Sequence, residues 1–583
     1  MALPMRQRLC HGLGAALLAL ATTGPAPAAQ AVQGAQAGAM PDTRPVPQRA
    51  DRLPPLPAHW ERGVFMEIFV RAYADSDGDG IGDLRGLISR LDYLADLGVR
   101  GLWLMPITAS ADRDHGYATV DHRAIERDYG TLADLDELLR QARRRGIGVI
   151  IDYVVNHAAA DHPWFRAARE DTSSPWRDWF VWADARPEGW DIWGVDPWYH
   201  LASAPWTYKG DLKAMPRPES QARGFYFATF GPHMPDFNLR HGPALRYHQD
   251  SLRFWLNRGI AGFRLDAVPH LVENSAQDWN DQPESRAMTK ALTDLIRRYP
   301  RRMAVCEATA QPQAWGDPAV CGGAFAFGHV QHHVGAALGR AESVQALADY
   351  HRTARPTMAG FVSNHDRFAG LRLWDQVAGD DTAYRLAAAS YLLQPGTPYV
   401  YYGEEIGQAG LADADNRLGD RPLRAPMSWS ADERTAGFTT GTPFRELSPN
   451  RATHNAQAQR ADPGSLHAHY KALIGLRNRW PSIARGSFEH SFADGLVLGF
   501  QRALPGERTL VLINYGAEAA RVQVPGLAEG MRLQPLFGAE ALPQPRPAPA
   551  PGQAWTLAPR TAQVWRLLPP RQPGSRLTSA PRP

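Results

Sequence analysis

The sequence Gly148-Val-Ile-Ile-Asp-Tyr-Val-Val-Asn-His157 is a short apolar run that ends in polar side chains. Its β-branched residues predict a β-strand. Runs of the same kind recur along the chain and predict further strands at residues 64–70, 101–106, 262–268, 303–309, 324–328, 360–363 and 398–402. The chain therefore contains eight strand candidates of one kind.

Amphipathic helical patterns lie between these strands. One pattern places leucine and isoleucine side chains on a single face from Leu84 to Leu94, with Gly98 as the stop signal. Another begins at Thr131, with Asp134 in the capping-box position, and ends near Gly146. Strands that alternate with helices form a parallel sheet, and eight such units predict a (β/α)8 TIM barrel. The reactive groups of such a barrel lie at the C-terminal ends of its strands.

Two regions depart from this alternation. Residues 157–240 are too long for a loop after the third strand and hold eight of the 18 tryptophans, so they predict an inserted domain over the barrel mouth. Residues 483–568 contain alternating runs such as Val497-Leu-Gly-Phe500, which predict an all-β C-terminal sandwich. The catalytic barrel then takes residues 58–156 and 241–482.

The two ends of the chain lack such patterns. Residues 1–28 carry Arg6 and Arg8, an apolar stretch and a small-residue cleavage site at residues 26–28, which together predict a signal peptide. Residues 29–57 and 569–583 are rich in Ala and Pro, and we expect a flexible N-terminal segment and a tail. The mature chain has no apolar run long enough to cross a membrane, so we expect a periplasmic or secreted protein.

The composition excludes several classes of protein. Of the 583 residues, 44% are hydrophobic and 21% are charged, which is typical of globular chains and excludes disorder along the whole length. The net charge is +3 and no long basic block occurs, which argues against a nucleic-acid partner. The oligomeric state has no signature in the sequence.

Three cysteines are present, and Cys10 lies within the predicted signal peptide. Cys306 and Cys321 remain, and their spacing of 15 residues permits a disulfide in an exported protein. The alternative is a pair of separate buried thiols, because sequence does not supply the distance between the two Cα atoms.

Acidic and basic side chains cluster where the predicted strands end. They are Asp152 with His157, Arg264 with Asp266, Glu307, and His365 with Asp366. One acidic residue at such a place often only caps the next helix. Several strand ends that meet at one rim favour chemistry instead. Paired carboxylates predict glycoside cleavage, in which one attacks the anomeric carbon and the other protonates the leaving oxygen.

These segments resemble a known family. Asp152-Tyr-Val-Val-Asn-His157, Gly262-Phe-Arg-Leu-Asp266, Glu307 after Val305-Cys306, and Phe361-Val-Ser-Asn-His-Asp366 look like the four ordered regions of the α-amylase family of glycoside hydrolases, family 13. Met234-Pro-Asp-Phe-Asn238 resembles an additional region of that family. The resemblance covers roughly residues 60–480 and is closest to secreted bacterial α-amylases intermediate with the oligo-1,6-glucosidase branch.

The resemblance implies roles for particular residues. It implies Asp266 as nucleophile, Glu307 as general acid/base and Asp366 as the carboxylate that holds the sugar hydroxyls. Substrate-binding residues are implied at Tyr117, His157, Arg264 and His365. We expect Arg264 to orient Asp266 and keep it ionised, and we expect a raised pKa for Glu307.

A second motif is rich in aspartate. Asp75, Asp77, Asp79 and Asp83 alternate with other residues around Gly80, and the carbonyl of Ile81 completes the pattern of a calcium loop. The twelfth position is Gly86, so the motif is not an EF-hand. In related branches of the family a similar loop binds structural calcium, and we expect Ca²⁺ here. The alternative is a polar turn without metal.

The expected function is a secreted, retaining α-amylase that cleaves α-1,4 bonds of starch and maltooligosaccharides. Ala118 stands where many exo-acting relatives have an aspartate, which favours an open non-reducing end. The alternative is an exo-acting α-glucosidase or a transglycosylase such as a trehalose synthase. A more remote alternative is a noncatalytic glycan-binding protein, although all three carboxylates are present.

Overall fold

The computed structural model describes residues 40–51, 53–201, 224–413, 419–538, 545–550 and 552–570. The predicted signal peptide lies outside the described residues, as do residues 29–39 of the N-terminal segment and residues 571–583 of the tail. Among the described residues, no helix combines the length and the apolar character that a membrane crossing requires.

Eight short parallel strands form the central sheet, and each pairs with its neighbour in chain order. The first strand also pairs with the eighth. A parallel bridge between Gly360 and Pro398 joins the ends of the seventh and eighth strands and closes the sheet into a (β/α)8 barrel. In chain order the strands are Phe65–Ile68, Gly101–Leu104, Gly148–Tyr153, Gly262–Leu265, Met303–Cys306, Ala324–Phe325, Met358–Ala359 and Tyr399–Tyr401.

Helices surround the barrel. In the structure the leucine face that begins at Leu84 belongs to two short helices divided at Arg90, and Gly98 ends the second with a positive φ of 95°. The predicted capping box forms between Thr131 and Asp134. The α-helices are Val70–Tyr73, Leu84–Ser89, Leu91–Leu97, Leu132–Arg144, Pro163–Glu170, Gly242–Arg258, Pro283–Arg297, Pro312–Trp315, Gln331–Ala337, Ala341–Thr353, Leu373–Gln376, Asp381–Leu392, Ala456–Ala461, Leu466–Arg479 and Pro481–Arg485.

Between the third strand and the helix Gly242–Arg258, the chain leaves the barrel. This part contains the helix Pro163–Glu170 and a three-stranded antiparallel sheet, and a two-stranded hairpin precedes it after the second barrel strand. Strands of the sheet are Trp182–Ala183, Trp198–His200 and Phe225–Phe227, and strands of the hairpin are Thr108–Ser110 and Thr119–Ile125.

The C-terminal part is all β. Its strands pair in a six-stranded and a two-stranded sheet, and a separate apolar cluster including Trp555 and Trp565 lies among them. The first sheet contains Ser487–Asp494, Val497–Leu504, Glu507–Asn514, Thr561–Leu568, Arg532–Phe537 and Arg546–Pro547, and the second contains Ala520–Val522 and Trp555–Leu557.

The described part of the predicted N-terminal segment contacts the barrel. Residues 40–51 and 53–57 form neither helix nor strand. Leu56 is fully buried, and the carboxylate of Asp51 pairs with Arg143 and Arg302. Local composition misses this because the segment has no periodicity of its own and is held by tertiary contacts.

Candidate active site

The residues expected to carry the chemistry meet at one end of the barrel. Asp152 lies near the end of the third strand, Asp266 directly follows the fourth and Glu307 directly follows the fifth. Asp366 follows the seventh strand by a short loop. Because the carboxyl ends of parallel strands share one rim, the fold brings together side chains that are far apart in sequence.

Arg264 joins three of the carboxylates. Its Nη1 lies 2.9 Å from Oδ1 of Asp152 and also contacts Asp266, while Nη2 lies 2.8 Å from Oε2 of Glu307. Arg264 is 2% exposed, so its charge is satisfied by these carboxylates rather than by water. The guanidinium thereby fixes the relative positions of the candidate nucleophile and the candidate acid.

The backbone after Asp266 contributes to the same arrangement. Ala267 adopts a left-handed conformation with φ of 47°, which is unfavourable for a residue other than glycine. In this conformation its N–H donates to Oε2 of Glu307 at 3.0 Å. The strained backbone of Ala267 therefore allows a hydrogen bond between the ends of the fourth and fifth strands.

A disulfide lies next to the candidate acid. The sequence left the pairing of Cys306 and Cys321 open, and the structure contains this bond. Cys306 is the last residue of the fifth strand and immediately precedes Glu307. The bond therefore ties the position of Glu307 to the segment before the sixth strand, and closing a loop of this length contributes about 3 kcal/mol.

His365 lies behind Asp366 and is fully buried. Its Nε2 lies 2.7 Å from the hydroxyl of Tyr117 and 3.1 Å from Oδ2 of Asp366, and its Nδ1 lies 2.6 Å from Oε1 of Glu67. Tyr117 stacks on the imidazole and donates its hydroxyl to Asp152 at 2.9 Å. His365 is thus held between two carboxylates, and its contacts orient Tyr117 and Asp366.

A cavity of about 570 Å³ opens above these groups. Asp266, Glu307 and Asp366 line it together with Tyr117 and His157. Arg264 and His365 lie behind the lining, where both are buried. The volume falls in the range of sites for small ligands.

Burial and neighbouring charges give these carboxyl groups different pKa values. Burial raises the pKa of Glu307 to about 7, against the opposing charge of Arg264. Burial also raises the pKa of Asp266 to about 6, although Arg264 acts to lower it. Although burial raises the pKa of Asp366, the charge of His365 holds it below its usual value. The raised pKa of Glu307 agrees with the expectation from the sequence, whereas that of Asp266 shows that burial outweighs Arg264.

The histidines differ in charge. Although burial lowers the pKa of His365, the charges of Asp366 and Glu67 raise it to about 10. Burial lowers the pKa of His157 to about 3. The Nε2 atom of His157 is buried without a protein hydrogen-bond partner. A neutral imidazole at the cavity wall is suited to bonding a sugar hydroxyl.

Three residues of functional interest did not emerge from the sequence, namely Glu67, Arg424 and Asp114. Glu67 belongs to no recognisable motif. A single glutamate inside an apolar strand does not indicate that it contacts His365. Arg424 lines the cavity and contacts Oδ1 of Asp366 at 3.3 Å. Asp114 is paired with Arg445 at 2.7 Å, and its charge also acts on Arg424.

The aspartate-rich loop follows the first barrel strand and a short helix. Within the described residues, one oxygen from each of Asp75, Asp77 and Asp83 lies within 4.8 Å of the other two, so the three carboxylates could share one cation. Asp79 is not part of this group, and its carboxylate accepts the N–H of Ile81 at 2.8 Å. Asp75 and Asp83 also accept backbone N–H groups of the loop. Three carboxylates fit a hard cation such as Ca²⁺, and the roles of Asp79 and of the Ile81 carbonyl stay predictions.

The chain is similar to known proteins. Residues 67–486 match the family model described as the catalytic domain of α-amylase. The chain is 33% identical over 510 residues to the trehalose synthase/amylase TreS of Mycobacterium tuberculosis, covering 79% of this chain and 82% of that protein. It is 28% identical to the oligo-1,6-glucosidase of Parageobacillus thermoglucosidasius, covering 80% and 92%.

A solved structure shows the same architecture. The trehalose-6-phosphate hydrolase of Bacillus licheniformis superposes with a TM-score of 0.73 at 25% identity, over 87% of this chain and 99% of the other. The likeness extends beyond the barrel into the C-terminal β domain.

The protonation states predict a bell-shaped dependence of kcat/KM on pH. We expect a maximum between about 6 and 7, because activity falls when Asp266 (pKa about 6) gains a proton and when Glu307 (pKa about 7) loses one. The measurement is a pH–rate profile on maltotriose for the wild type, because its leaving oxygen needs a proton, and on α-glucosyl fluoride for Glu307→Gln, because fluoride leaves with little acid assistance. Glu307→Gln should lose the basic limb and retain the acidic limb. A basic limb that persists in this variant would contradict the assignment.

Glu67 is expected to keep His365 protonated. Glu67→Gln removes the charge beside Nδ1, so the pKa of His365 should fall and kcat/KM should drop about tenfold at pH 8. NMR of the imidazole signals, with His365 identified by its loss in His365→Gln, measures this directly. The control Glu405→Gln changes another buried glutamate, which is bonded to Tyr93 instead. Unchanged titration of His365 in Glu67→Gln would refute the expectation.

Proposed function

We propose, since the chain belongs to the α-amylase family of glycoside hydrolases, that it is a retaining enzyme acting on short α-glucosides. The observation that carries the proposal is the group of carboxylates around Arg264. Two of them, Asp266 and Glu307, line the cavity, and the pKa of Glu307 is the higher of the two. Paired carboxyl groups of this kind supply a nucleophile and an acid for glycoside cleavage.

The proposed reaction has two steps. In the first, a carboxylate oxygen of Asp266 bonds to the anomeric carbon while the bond from that carbon to the leaving oxygen breaks, and Glu307 gives its proton to that oxygen. In the second, the Glu307 carboxylate takes a proton from water or from a sugar hydroxyl, whose oxygen displaces Asp266. Two inversions at one carbon leave the α configuration unchanged.

The surrounding residues would hold the sugar ring. Asp366 stays ionised beside His365 and Arg424, so it can accept hydrogen bonds from ring hydroxyls. The ring of Tyr117 offers a flat apolar face for the pyranose. In this proposal His365 acts through Tyr117 and Asp366 rather than by touching the sugar, because it is fully buried.

Two observations favour short substrates over the endo-acting starch amylase expected from the sequence. The matched relatives include an oligo-1,6-glucosidase and a trehalose synthase/amylase. The cavity of about 570 Å³ suits a few sugar units. Exo-hydrolysis, glucosyl transfer and isomerisation share the covalent intermediate and differ in whether water or a sugar hydroxyl takes its place.

Endo-acting amylase activity is the second candidate. It is favoured by Ala118, because many exo-acting relatives have an aspartate at this position. It is also favoured by the similarity to the mycobacterial trehalose synthase/amylase. Under this candidate the same three carboxylates cleave internal α-1,4 bonds.

We also propose a structural Ca²⁺ ion held by Asp75, Asp77 and Asp83. The ion would neutralise three converging carboxylates and stabilise the loop after the first barrel strand, without touching the substrate. Export is a further proposal. It is supported by the predicted signal peptide and by the Cys306–Cys321 disulfide, which is typical of oxidising compartments.

The product profile tests the proposed function. We expect the wild-type protein to release glucose or rearranged disaccharides at early times from maltose and maltotriose. NMR should show that the α anomer of the product appears first. Asp266→Asn should lower kcat by about three to four orders of magnitude because the nucleophile is lost. Asp349→Asn, at an exposed helix position, is the matched control. Early mixed maltooligosaccharides from maltoheptaose would support the endo-acting candidate, and near-normal turnover by Asp266→Asn would contradict both.

Calcium should stabilise the folded protein. Millimolar Ca²⁺ is expected to raise the melting temperature by about 5 °C, since binding to the folded state alone adds to its stability. The measurement is a thermal melt with Ca²⁺ and then with excess chelator. Asp77→Asn should lose the shift while Asp79→Asn keeps it. Equal shifts in the two variants would show that the ion binds elsewhere.

A further inference from the structure

Glu404 is a buried glutamate that lies outside the cavity lining. It begins the short helical turn Glu404–Ile406, which comes shortly after the eighth barrel strand. Its Oε1 atom accepts hydrogen bonds from the hydroxyls of Tyr391 at 2.7 Å and Tyr470 at 2.8 Å. Its Oε2 atom accepts a hydrogen bond from the hydroxyl of Ser363 at 2.8 Å. Three hydroxyl groups therefore converge on one carboxyl group.

These hydroxyl groups, rather than a cation, stabilise Glu404. It is 2% exposed, and in the described part of the chain it forms no salt bridge. Burial raises the pKa of Glu404 to about 7, although the hydrogen bonds from the three hydroxyls act to lower it. A buried polar group is costly without partners, whereas one whose oxygens are both hydrogen-bonded holds its surroundings in a single arrangement. The bonds to Glu404 therefore fix the elements that supply the hydroxyls.

Two of the hydroxyls come from helices that surround the barrel. Tyr391 lies in the helix Asp381–Leu392, and Tyr470 lies in the helix Leu466–Arg479. The two helices pack against each other, and both tyrosines are buried. Glu404 is therefore anchored to the helical layer of the barrel.

The third hydroxyl belongs to the loop that carries Asp366. Ser363 follows the seventh strand in this loop, is buried, and lies three residues before Asp366. Among the described residues, its side chain forms the bond to Glu404 and no other. Between the two residues, the side-chain oxygen of Asn364 accepts the N–H of Asp366 at 2.8 Å. The bond from Ser363 therefore ties the Asp366 loop to the anchored Glu404.

We propose that Glu404 is a positioning residue for Asp366 and acts through the hydroxyl of Ser363. This inference rests on the proposed function, in which Asp366 accepts hydrogen bonds from the hydroxyls of the sugar ring. Those bonds strengthen as the ring distorts towards the transition state. A loop released from Glu404 would let Asp366 move away from the ring, and this movement would weaken binding of the transition state more than binding of the substrate.

The first test removes the hydroxyl that joins the loop to Glu404. In steady-state kinetics on maltotriose, Ser363→Ala should lower kcat about tenfold while KM changes by less than about twofold. The matched control is Ser390→Ala, because Ser390 is equally buried and adjacent to Tyr391 but bonded to Tyr515 instead. Both variants lose a buried hydroxyl, so their melting temperatures should fall by similar amounts, whereas only Ser363→Ala should lose kcat.

A double-mutant cycle tests whether the effect passes through Asp366. Asp366→Ala leaves no carboxylate to be positioned. Adding Ser363→Ala to this variant should therefore change kcat/KM on α-glucosyl fluoride by less than about twofold, whereas Ser363→Ala alone should lower it about tenfold from the wild-type value.

Three outcomes would overturn the inference. They are an unchanged kcat in Ser363→Ala, an equal loss of kcat in Ser390→Ala, and a tenfold effect of Ser363→Ala that persists in the Asp366→Ala background. Absence of turnover of maltotriose and α-glucosyl fluoride by the wild-type protein would instead overturn the proposed function, so the two failures are distinguishable.

Discussion

The buried guanidinium of Arg264 is the interaction on which the site depends. A charge that is 2% exposed is tolerated only with close partners of opposite sign, and here those partners are Asp152, Asp266 and Glu307. These carboxylates come from the ends of three neighbouring strands. The register in which the strands pair therefore determines where the carboxylates lie. Loss of this cation would leave several carboxylates buried together without compensation.

A second charged group is joined to the first through Tyr117. Glu67, His365 and Asp366 alternate in charge, and Tyr117 joins them to Asp152 in the group around Arg264. Together, the two groups keep Asp366 ionised and favour the protonated form of Glu307. Burial supplies the raised pKa values, and the fixed cations determine which carboxylate remains ionised. The chemistry is therefore a property of the whole rim rather than of any one residue.

Much of the fold and site follows from local patterns. The apolar runs at 148–155 and 262–268, the capping box at Thr131 and the polar residues at strand ends predict the barrel and the carboxylates that line its cavity. Other features depend on partners distant in sequence. Glu67 on the first strand meets His365, which follows the seventh strand, and Asp51 of the N-terminal segment pairs with Arg143 and Arg302. No periodicity or motif encodes such contacts.

The sequence by itself determined which residues could act, because chemistry depends on residue type and the strand ends are recognisable from hydrophobic patterning. It thereby determined the family, the barrel and the candidate carboxylates. Only the tertiary structure decided how these groups are charged and oriented. Proton affinity depends on burial and on charges within a few ångströms, and those distances, like the pairing of Cys306 with Cys321, exist only once the strands have closed into a barrel.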